Sequence, residues 1–269
     1  CAAVGSGGLV IAMLNDMAAV HRVLFDDAET RNALQGRVLA NVVSGNPDEG
    51  RAAYERSHEA RVAGYLDGAY SGSPAKARAG AGQLFLSSGD GGDALVRAHQ
   101  PALDALGTVT FCGTVGASRA LDYAVVDLYL MNYLSFTANL AMLERERVDL
   151  TLLYPNVGAR LAQVPAFLEA AAARMESRDE AAYRANPGAT VGTWRNFWAS
   201  RLPYLDAHEL PAQLPRFVVG LLDEAAGGAG GPHADADMTR LQEVVRYGSK
   251  RKAEGAAADV NGSKAPKRA

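Results

Sequence analysis

The sequence lacks the features that mark several classes of protein. It has only two cysteines, Cys1 and Cys112, among 269 residues. These are too few for a disulfide framework and predict a reducing compartment, the cytoplasm. No uninterrupted apolar run reaches about 18 residues, so we expect no transmembrane helix and no membrane partner. Neither sign of charge dominates, because 27 basic and 30 acidic residues leave a formal net charge of −3. That balance argues against a dedicated nucleic-acid binder.

Two kinds of site motif are also missing. The five histidines are scattered without ligand spacing, so the sequence predicts no metal site; they are His21, His58, His99, His208 and His233. The glycine-rich stretch at 5–8 precedes a predicted strand. A dinucleotide phosphate loop instead follows a strand and opens a helix, so that backbone N–H groups face the pyrophosphate. We therefore interpret these glycines as a flexible lead-in.

The first 112 residues alternate short apolar runs with helical stretches. The runs predict strands at 9–14, 38–43, 64–69, 83–89 and 109–112. Helices are expected between them at 17–24, 48–62 and 94–106. This alternation is typical of an α/β fold with a mostly parallel sheet.

The pattern changes after Gly116. No glycine or proline occurs from 117 to 147, which predicts one helix of about 30 residues and about 45 Å. Further helices are expected at 158–176, 190–201, 210–226 and 235–247, separated by prolines and by the glycines of 227–231. The second half is therefore predicted to be all-α.

The last stretch, 249–269, differs again. It contains one valine and no other large apolar residue, so it cannot bury enough surface to offset the entropy of ordering and is predicted to be disordered. Basic residues form two clusters, one at 250–252 and one of Lys264, Lys267 and Arg268. Such a pair is typical of a bipartite nuclear-import signal, which would direct the chain to the nucleus. A charged, solubilising tail is the alternative, and the pattern favours it.

One face of the long predicted helix places a carboxyl group in line with aromatic rings. Its residues fall at i, i+4, i+7, i+11 and i+14, and they are Asp122, Val126, Tyr129, Tyr133 and Phe136. An apolar setting raises the pKa of a carboxyl group, as a proton donor near neutral pH requires. Alternatively, Asp122 is solvated and paired with Arg119 at i−3, and the rings are ordinary core. Spacing alone favours the second interpretation.

Four stretches stand out in this order along the chain, at 10–16, 39–47, 65–69 and 116–122. Together they resemble the NADPH-dependent imine reductases and reductive aminases of the β-hydroxyacid dehydrogenase group, which includes 6-phosphogluconate dehydrogenase. Residues 10–16 are similar to a family strand with its cofactor-facing loop, and 39–47 resemble its N-x-x-S-G-x-P strand and turn. Residues 65–69 match its Y-L-D-G-A strand, and 116–122 resemble the start of its interdomain helix. The resemblance continues through residues 209–211, 227–231 and 241–246, and covers about residues 9–247.

The resemblance implies a Rossmann-type sheet, a long interdomain helix and a C-terminal helical domain that intertwines with a second copy as a homodimer. It implies NADPH as cofactor and imine, carbonyl and amine substrates. Counting from Gly116 makes Asp122 the residue that serves the substrate nitrogen, whereas counting from Gly113 gives Tyr123. Tyr129, Tyr133 and Phe136 would line the substrate pocket. The implied cofactor contacts are Leu14, Asn15, Asn41, Ser44 and Gly45.

The family's glycine-rich fingerprint precedes the stretch with which this chain begins. We therefore expect about 60 residues, two βα units, to be missing from the Rossmann domain, and NADPH binding to be weak. The expected domains are an incomplete NADP-binding domain at 1–112, a helical domain at 113–248 and the tail at 249–269. One alternative function is that of a truncated, non-catalytic dimerising module. Another is a β-hydroxyacid dehydrogenase, although the catalytic lysine of those enzymes has no counterpart here.

Overall fold

The computed structural model describes residues 4–89, 91–177, 189–241 and 244–245. The predicted disordered tail at 249–269, with both basic clusters, lies outside the described residues. The predicted helix at 235–247 is wrong over its first part, because residues 235–237 are not helical and 238–240 form a 3₁₀ turn; residues 242–243 and 246–247 lie outside the described residues. The chain forms two compact units, residues 1–132 and 133–269. Among the described residues, no helix has both the length and the apolarity needed to cross a bilayer.

The first unit is built on a five-stranded sheet in the order β1-β2-β3-β4-β5. The strands are β1 (Leu9–Ala12), β2 (Val38–Asn41), β3 (Gly64–Ser71), β4 (Gly82–Ser87) and β5 (Gly107–Phe111). Three of the four pairings are parallel, which confirms the predicted mostly parallel sheet, but β3 and β4 are antiparallel. Only residues 72–81 connect β3 to β4, and a parallel crossover needs about a dozen residues or more.

Helices cover both faces of this sheet. They are α1 (Met17–Val20), which continues as a π-helical turn (His21–Asp26), α2 (Ala28–Leu34), α3 (Pro47–Glu59), α4 (Pro74–Arg78) and α5 (Gly92–Asp104). One buried apolar cluster includes Phe25 and Leu39, and a second includes Ala40 and Leu84. Neighbouring residues of β2 thus belong to different clusters, because successive side chains of a strand point to opposite faces. This explains why the strand reads as one continuous apolar run.

Among the described residues of the second unit the regular elements are helices, as predicted, and one isolated β-bridge pairs Thr190 with Asp237. The long helix α6 (Ala117–Arg145) runs into it, followed by a 3₁₀ turn (Leu150–Leu152), α7 (Leu153–Leu161), α8 (Val164–Ser177), α9 (Val191–Ala199), α10 (Leu202–Ala207), α11 (Gln213–Ala226) and a second 3₁₀ turn (Met238–Arg240). Val191 and Leu222 belong to its buried cluster. Arg195 Nε donates to Asp223 Oδ1 at 2.9 Å, which links α9 to α11.

The division between the units falls inside α6, at 132/133, whereas the sequence pattern placed a domain boundary at 112/113. Gly113 marks the change from alternating elements to helix. The first turns of α6 nevertheless bury Ser118, Arg119 and Asp122, and Ser118 Oγ donates to the backbone oxygen of Asp67 in β3 at 3.1 Å. These contacts join the start of the helix to the sheet unit.

Candidate active site

Two loops that carry predicted cofactor residues leave the same edge of the sheet. Because β1 and β2 are parallel and Ala12 pairs with Asn41, residues 13–16 and 42–46 emerge side by side from their carboxyl ends. Asn15 and Ser44 are exposed there, and Leu14 and Gly45 are half-buried. Ligands of open α/β sheets bind at this kind of position.

Asn41 has an interior position instead. Its side chain is completely buried. Its Nδ2 donates to the hydroxyl of Tyr65 at 3.0 Å, and its Oδ1 accepts from the N–H of Val43 at 3.3 Å. The structure therefore gives Asn41 a role in fixing the end of β2, and it leaves the side chain no surface to offer a ligand.

Gly45 is enclosed by side chains from three elements. A Cβ atom at this position would lie 2.7 Å from Cγ of the buried Met17 and 2.9 Å from Oε2 of Glu49. It would also lie 3.0 Å from Nη1 of Arg119. A glycine at this place therefore lets the loop lie directly against α1, α3 and α6.

The helices that follow these loops begin with side-chain caps. Asp16 accepts from the N–H of Ala19 at 2.7 Å and so caps α1. Asn46 accepts from the N–H groups of residues 48 and 49, and Glu49 accepts from the N–H of Asn46 at 2.8 Å. This reciprocal arrangement is a capping box. A phosphate would meet carboxylates at both helix starts.

The donor set therefore fits one part of a nicotinamide nucleotide better than another. The exposed amide of Asn15 and hydroxyl of Ser44 suit the uncharged carboxamide and ribose. The capped starts of α1 and α3 do not suit its phosphates, since side-chain oxygens of Asp16 and Asn46 already accept from N–H groups there and the carboxylates would repel an anion. Among the described residues, the edge formed by β1 and β2 therefore presents uncharged donors beside capped helix starts, which suit the uncharged part of such a nucleotide better than its phosphates.

Asp122 is buried in the first unit, with 6% of its surface exposed. Its Oδ1 has no hydrogen-bond partner within the part of the chain that the structure describes. Burial raises the pKa of this carboxyl, while a hydrogen bond from Ser71 and the charge of Arg119 oppose that rise. The interpretation that spacing alone favoured, a solvated Asp122 paired with Arg119, is wrong. The carboxyl is withdrawn from water, and the ion pair of Arg119 is made elsewhere.

The partner of Arg119 is Asp67. Both side chains are completely buried. Arg119 Nε donates to Asp67 Oδ1 at 2.9 Å and Nη2 lies 2.8 Å from the same oxygen. Arg119 Nη1 donates to the backbone oxygen of Val43 at 2.7 Å, and Asp67 Oδ2 accepts from the N–H of Gly116 at 3.1 Å. Sequence reasoning missed this pair, although Asp67 stands inside the Y-L-D-G-A stretch.

The pair belongs to a larger buried polar network. The Tyr65 hydroxyl, which accepts from Asn41, lies 3.5 Å from Asp67 Oδ1. Burial, with the nearby charge of Asp67, raises the pKa of Tyr65. On the other side, the hydroxyls of Ser87 and Ser118 are 2.8 Å apart. The network thus joins β2, β3 and β4 to the first turns of α6.

The other residues predicted on the long helix are more open to solvent. Tyr123, the alternative to Asp122, is 44% exposed; Tyr129 is 75% and Tyr133 is 59% exposed. Phe136 is half-buried. All lie on α6, but only Asp122 is buried, so the structure separates the two candidates for the nitrogen-serving role by their solvation.

The middle of α6 is exposed on every side. Each residue from 123 to 134 is solvent-accessible, and all but Ala124, Asp127 and Asn132 are large apolar or aromatic residues. This stretch covers more than three turns, about 18 Å. A helix that is apolar all round is normally buried. The stretch therefore has the character of an interior element.

A cleft of about 560 Å³ lies elsewhere in the first unit, at the carboxyl ends of β4 and β5. Tyr54 and Phe111 form part of its wall, and Arg51, Glu55 and Asp93 supply charges of both signs. None of the predicted site residues lines it.

No protein-family model and no curated protein matches this chain. Solved structures do. An imine reductase of Streptomyces aurantiacus has a TM-score of 0.75 at 21% identity, and an imine reductase of Bacillus cereus has 0.73 at 19%. A reductive aminase of Aspergillus terreus, in complex with NADPH and ethyl levulinate, has 0.73 at 18%. Each match covers 88% of this chain and 79% of the other. The predicted resemblance is thus confirmed at the level of the fold.

Proposed function

We propose that the chain is a nicotinamide-dependent oxidoreductase that reduces a C=N bond, or a C=O bond in the presence of an amine, with NADPH as the hydride donor. The observation that carries the proposal is Asp122, a buried carboxyl with a raised pKa whose Oδ1 has no hydrogen-bond partner among the described residues. The fold supports the choice of reaction, because similar structures are imine reductases and a reductive aminase with NADPH bound.

Asp122 supplies the proton in this proposal. A carboxyl whose pKa is raised by burial keeps its proton nearer to neutral pH than an exposed one does. It therefore donates to the substrate nitrogen as the carbon accepts hydride, which the nicotinamide supplies when it is bound. Tyr123 is the alternative donor, but its side chain is 44% exposed to water, whereas Asp122 is buried.

The remaining roles follow from position. Leu14, Asn15, Ser44 and Gly45 contact the nicotinamide end of the cofactor, with Asn41 supporting the loop from behind. Tyr129, Tyr133 and Phe136 exclude water from the substrate. Rings that are exposed in a single chain do this once another surface covers them, and a second copy of the chain is the proposed cover.

The test is oxidation of NADPH, followed by absorbance, with a cyclic imine and with a ketone–amine pair. We expect Asp122→Asn to lower kcat by roughly a hundredfold or more, as loss of a general acid does. Glu144→Gln is the matched control, because Glu144 is an exposed carboxylate on the same helix and lies outside the stretch 123–134. Tyr123→Phe decides between the two donors. Equal activity of Asp122→Asn and the wild type would refute the role of Asp122. Oxidation of a β-hydroxy acid with NADP⁺, without imine reduction, would favour the dehydrogenase alternative.

The exposed apolar stretch 123–134 of α6 favours a second candidate function, that of a dimerising module without catalysis. Both candidates predict a homodimer, measured as twice the chain mass by light scattering. Met131→Glu places a charge on that stretch and should give a monomer, whereas Val23→Glu, an equally exposed apolar position of the first unit, should not. NADPH titration followed by fluorescence separates the candidates, since a dimer that fails to bind millimolar NADPH is only a module.

A further inference from the structure

We propose that Arg119 is a positioning residue, which fixes Asp122 and the loop of Val43, Ser44 and Gly45 in one geometry. This inference rests on the proposed function for its consequence in catalysis. The contacts that suggest it are interatomic distances within the first unit, so they hold whether or not the proposed reaction takes place.

Arg119 joins three separate segments. Its guanidinium bonds the carboxylate of Asp67 in β3 and the backbone oxygen of Val43 after β2. Its own backbone is in the first turn of α6. A planar guanidinium can bind a carboxylate and a carbonyl at fixed angles at the same time, which a lysine ammonium, acting as a point charge, cannot do.

Both proposed site elements, the carboxyl of Asp122 and the loop at 43–45, are adjacent to these contacts. Asp122 follows Arg119 by three residues, so the two lie one above the other on α6. Ser44 follows Val43 directly, and the backbone of Gly45 passes so close that a Cβ there would lie 3.0 Å from Arg119 Nη1. Moving Arg119 therefore moves the carboxyl and the loop relative to each other.

The guanidinium of Arg119 has little room to move. Among the residues that the structure describes, Arg119 has the largest completely buried side chain. A Cβ added to Gly50 of α3 would lie 2.5 Å from Arg119 Nε, so α3 confines the guanidinium from a further side. A shift of about 1 Å between reacting groups is enough to slow a reaction markedly.

The experiment compares the wild type with Arg119→Lys, which keeps the charge and loses the planar contacts. Hydrogen exchange resolved by peptide is the first measurement. We expect amides at 42–46 and 116–122 to exchange roughly tenfold faster in the variant, as the loss of a charge-assisted hydrogen bond predicts. Other segments of the first unit should keep their rates. Arg97→Lys, in the exposed Arg97–Asp93 pair of α5, is the matched control and should change neither segment.

An unchanged rate at 42–46, or an equal acceleration throughout residues 4–132, would overturn the positioning role. If Arg119→Lys does not fold, Arg119→Met combined with Asp67→Asn removes both buried charges together and decides the same question, because it too loses the bond to Val43.

Turnover is the second measurement. We expect Arg119→Lys to lower kcat at least roughly tenfold while KM for the imine stays within about twofold. Unchanged kcat in an active enzyme would overturn the inference. A wild type that shows no turnover with any imine would instead overturn the proposed function, and the exchange rates would still decide whether Arg119 positions these segments.

Discussion

Removing the guanidinium of Arg119 should destabilise the first unit far more than breaking an exposed ion pair does. In Arg119→Met the carboxylate of Asp67, which is completely buried, loses two contacts from the guanidinium and keeps the N–H of Gly116 as a partner. The backbone oxygen of Val43 also loses its donor. Leaving a buried charge without its partner costs about 3–5 kcal/mol of unfolding free energy.

The control is Arg97→Met. Arg97 and Asp93 also form a hydrogen-bonded pair, but each side chain is more than half exposed, so its loss should cost about 0–1 kcal/mol. Urea unfolding followed by far-UV circular dichroism measures both variants. Tryptophan fluorescence is recorded in parallel to follow the unfolding of the second unit, because Trp194 and Trp198 both lie there.

The double variant tests whether the cost comes from the unpaired carboxylate of Asp67. Asp67→Asn in the background of Arg119→Met removes the orphaned charge, so it should recover a large part of the loss. That recovery, obtained as the coupling energy of a double-mutant cycle, distinguishes a buried charge pair from simple loss of packing. If Arg119→Met costs no more than Arg97→Met, or if Asp67→Asn adds its own full cost on top, the reasoning about this pair is refuted.

Three further predictions follow from the same unit. Because folding raises the pKa of Asp122 above the ordinary carboxyl value of 3.8, the folded state binds more protons than the unfolded state in that window, and stability falls as pH rises through it. Asp122→Asn should therefore match the wild type in acid and become progressively more stable than it at higher pH, as measured by urea unfolding; a constant difference would contradict this. Gly45→Ala should cost about 1–3 kcal/mol through overpacking, whereas Gly158→Ala in α7, where a Cβ meets open space, should stabilise by about 0.5–1 kcal/mol; thermal melts that rank them in reverse would be decisive against it. Asn46→Ala should cost about 0.5–2 kcal/mol by removing the cap of α3, and an unchanged urea midpoint would rule that cap out as a stabilising feature.

Local signals in the sequence predicted most of the fold. A short apolar run predicted each of the five strands. The absence of glycine and proline from 117 to 147 predicted α6 to within two residues of its end at Arg145. These signals work because the period of a strand or a helix is a property of neighbouring residues. The antiparallel β4 was missed, since strand direction depends on where the connection leads rather than on the run itself.

The buried pair shows the opposite case. Asp67 and Arg119 are 52 residues apart in the sequence, and no pattern among the neighbours of either residue predicts their contact. Spacing on the helix suggested Asp122 as the partner of Arg119, because i and i+3 are neighbours on a helix surface. The start of α6 is not a surface, however. In the packed interior Arg119 pairs with the carboxylate of Asp67 in β3 instead. Asp122 is therefore buried without that ion pair.

The different places of Asn41 and Ser44 follow from one rule of parallel sheets. Both residues belong to the same N-x-x-S-G stretch, and both were predicted to bind the cofactor. Asn41 is the last paired residue of β2, and a strand that is covered on both faces buries its side chains whichever way they point. Ser44 lies three residues further, beyond the last pairing, and is exposed. In a sheet covered on both sides, residues that contact a ligand at the edge therefore come from beyond the last paired position, and polar residues within the strand serve to hold that edge in place.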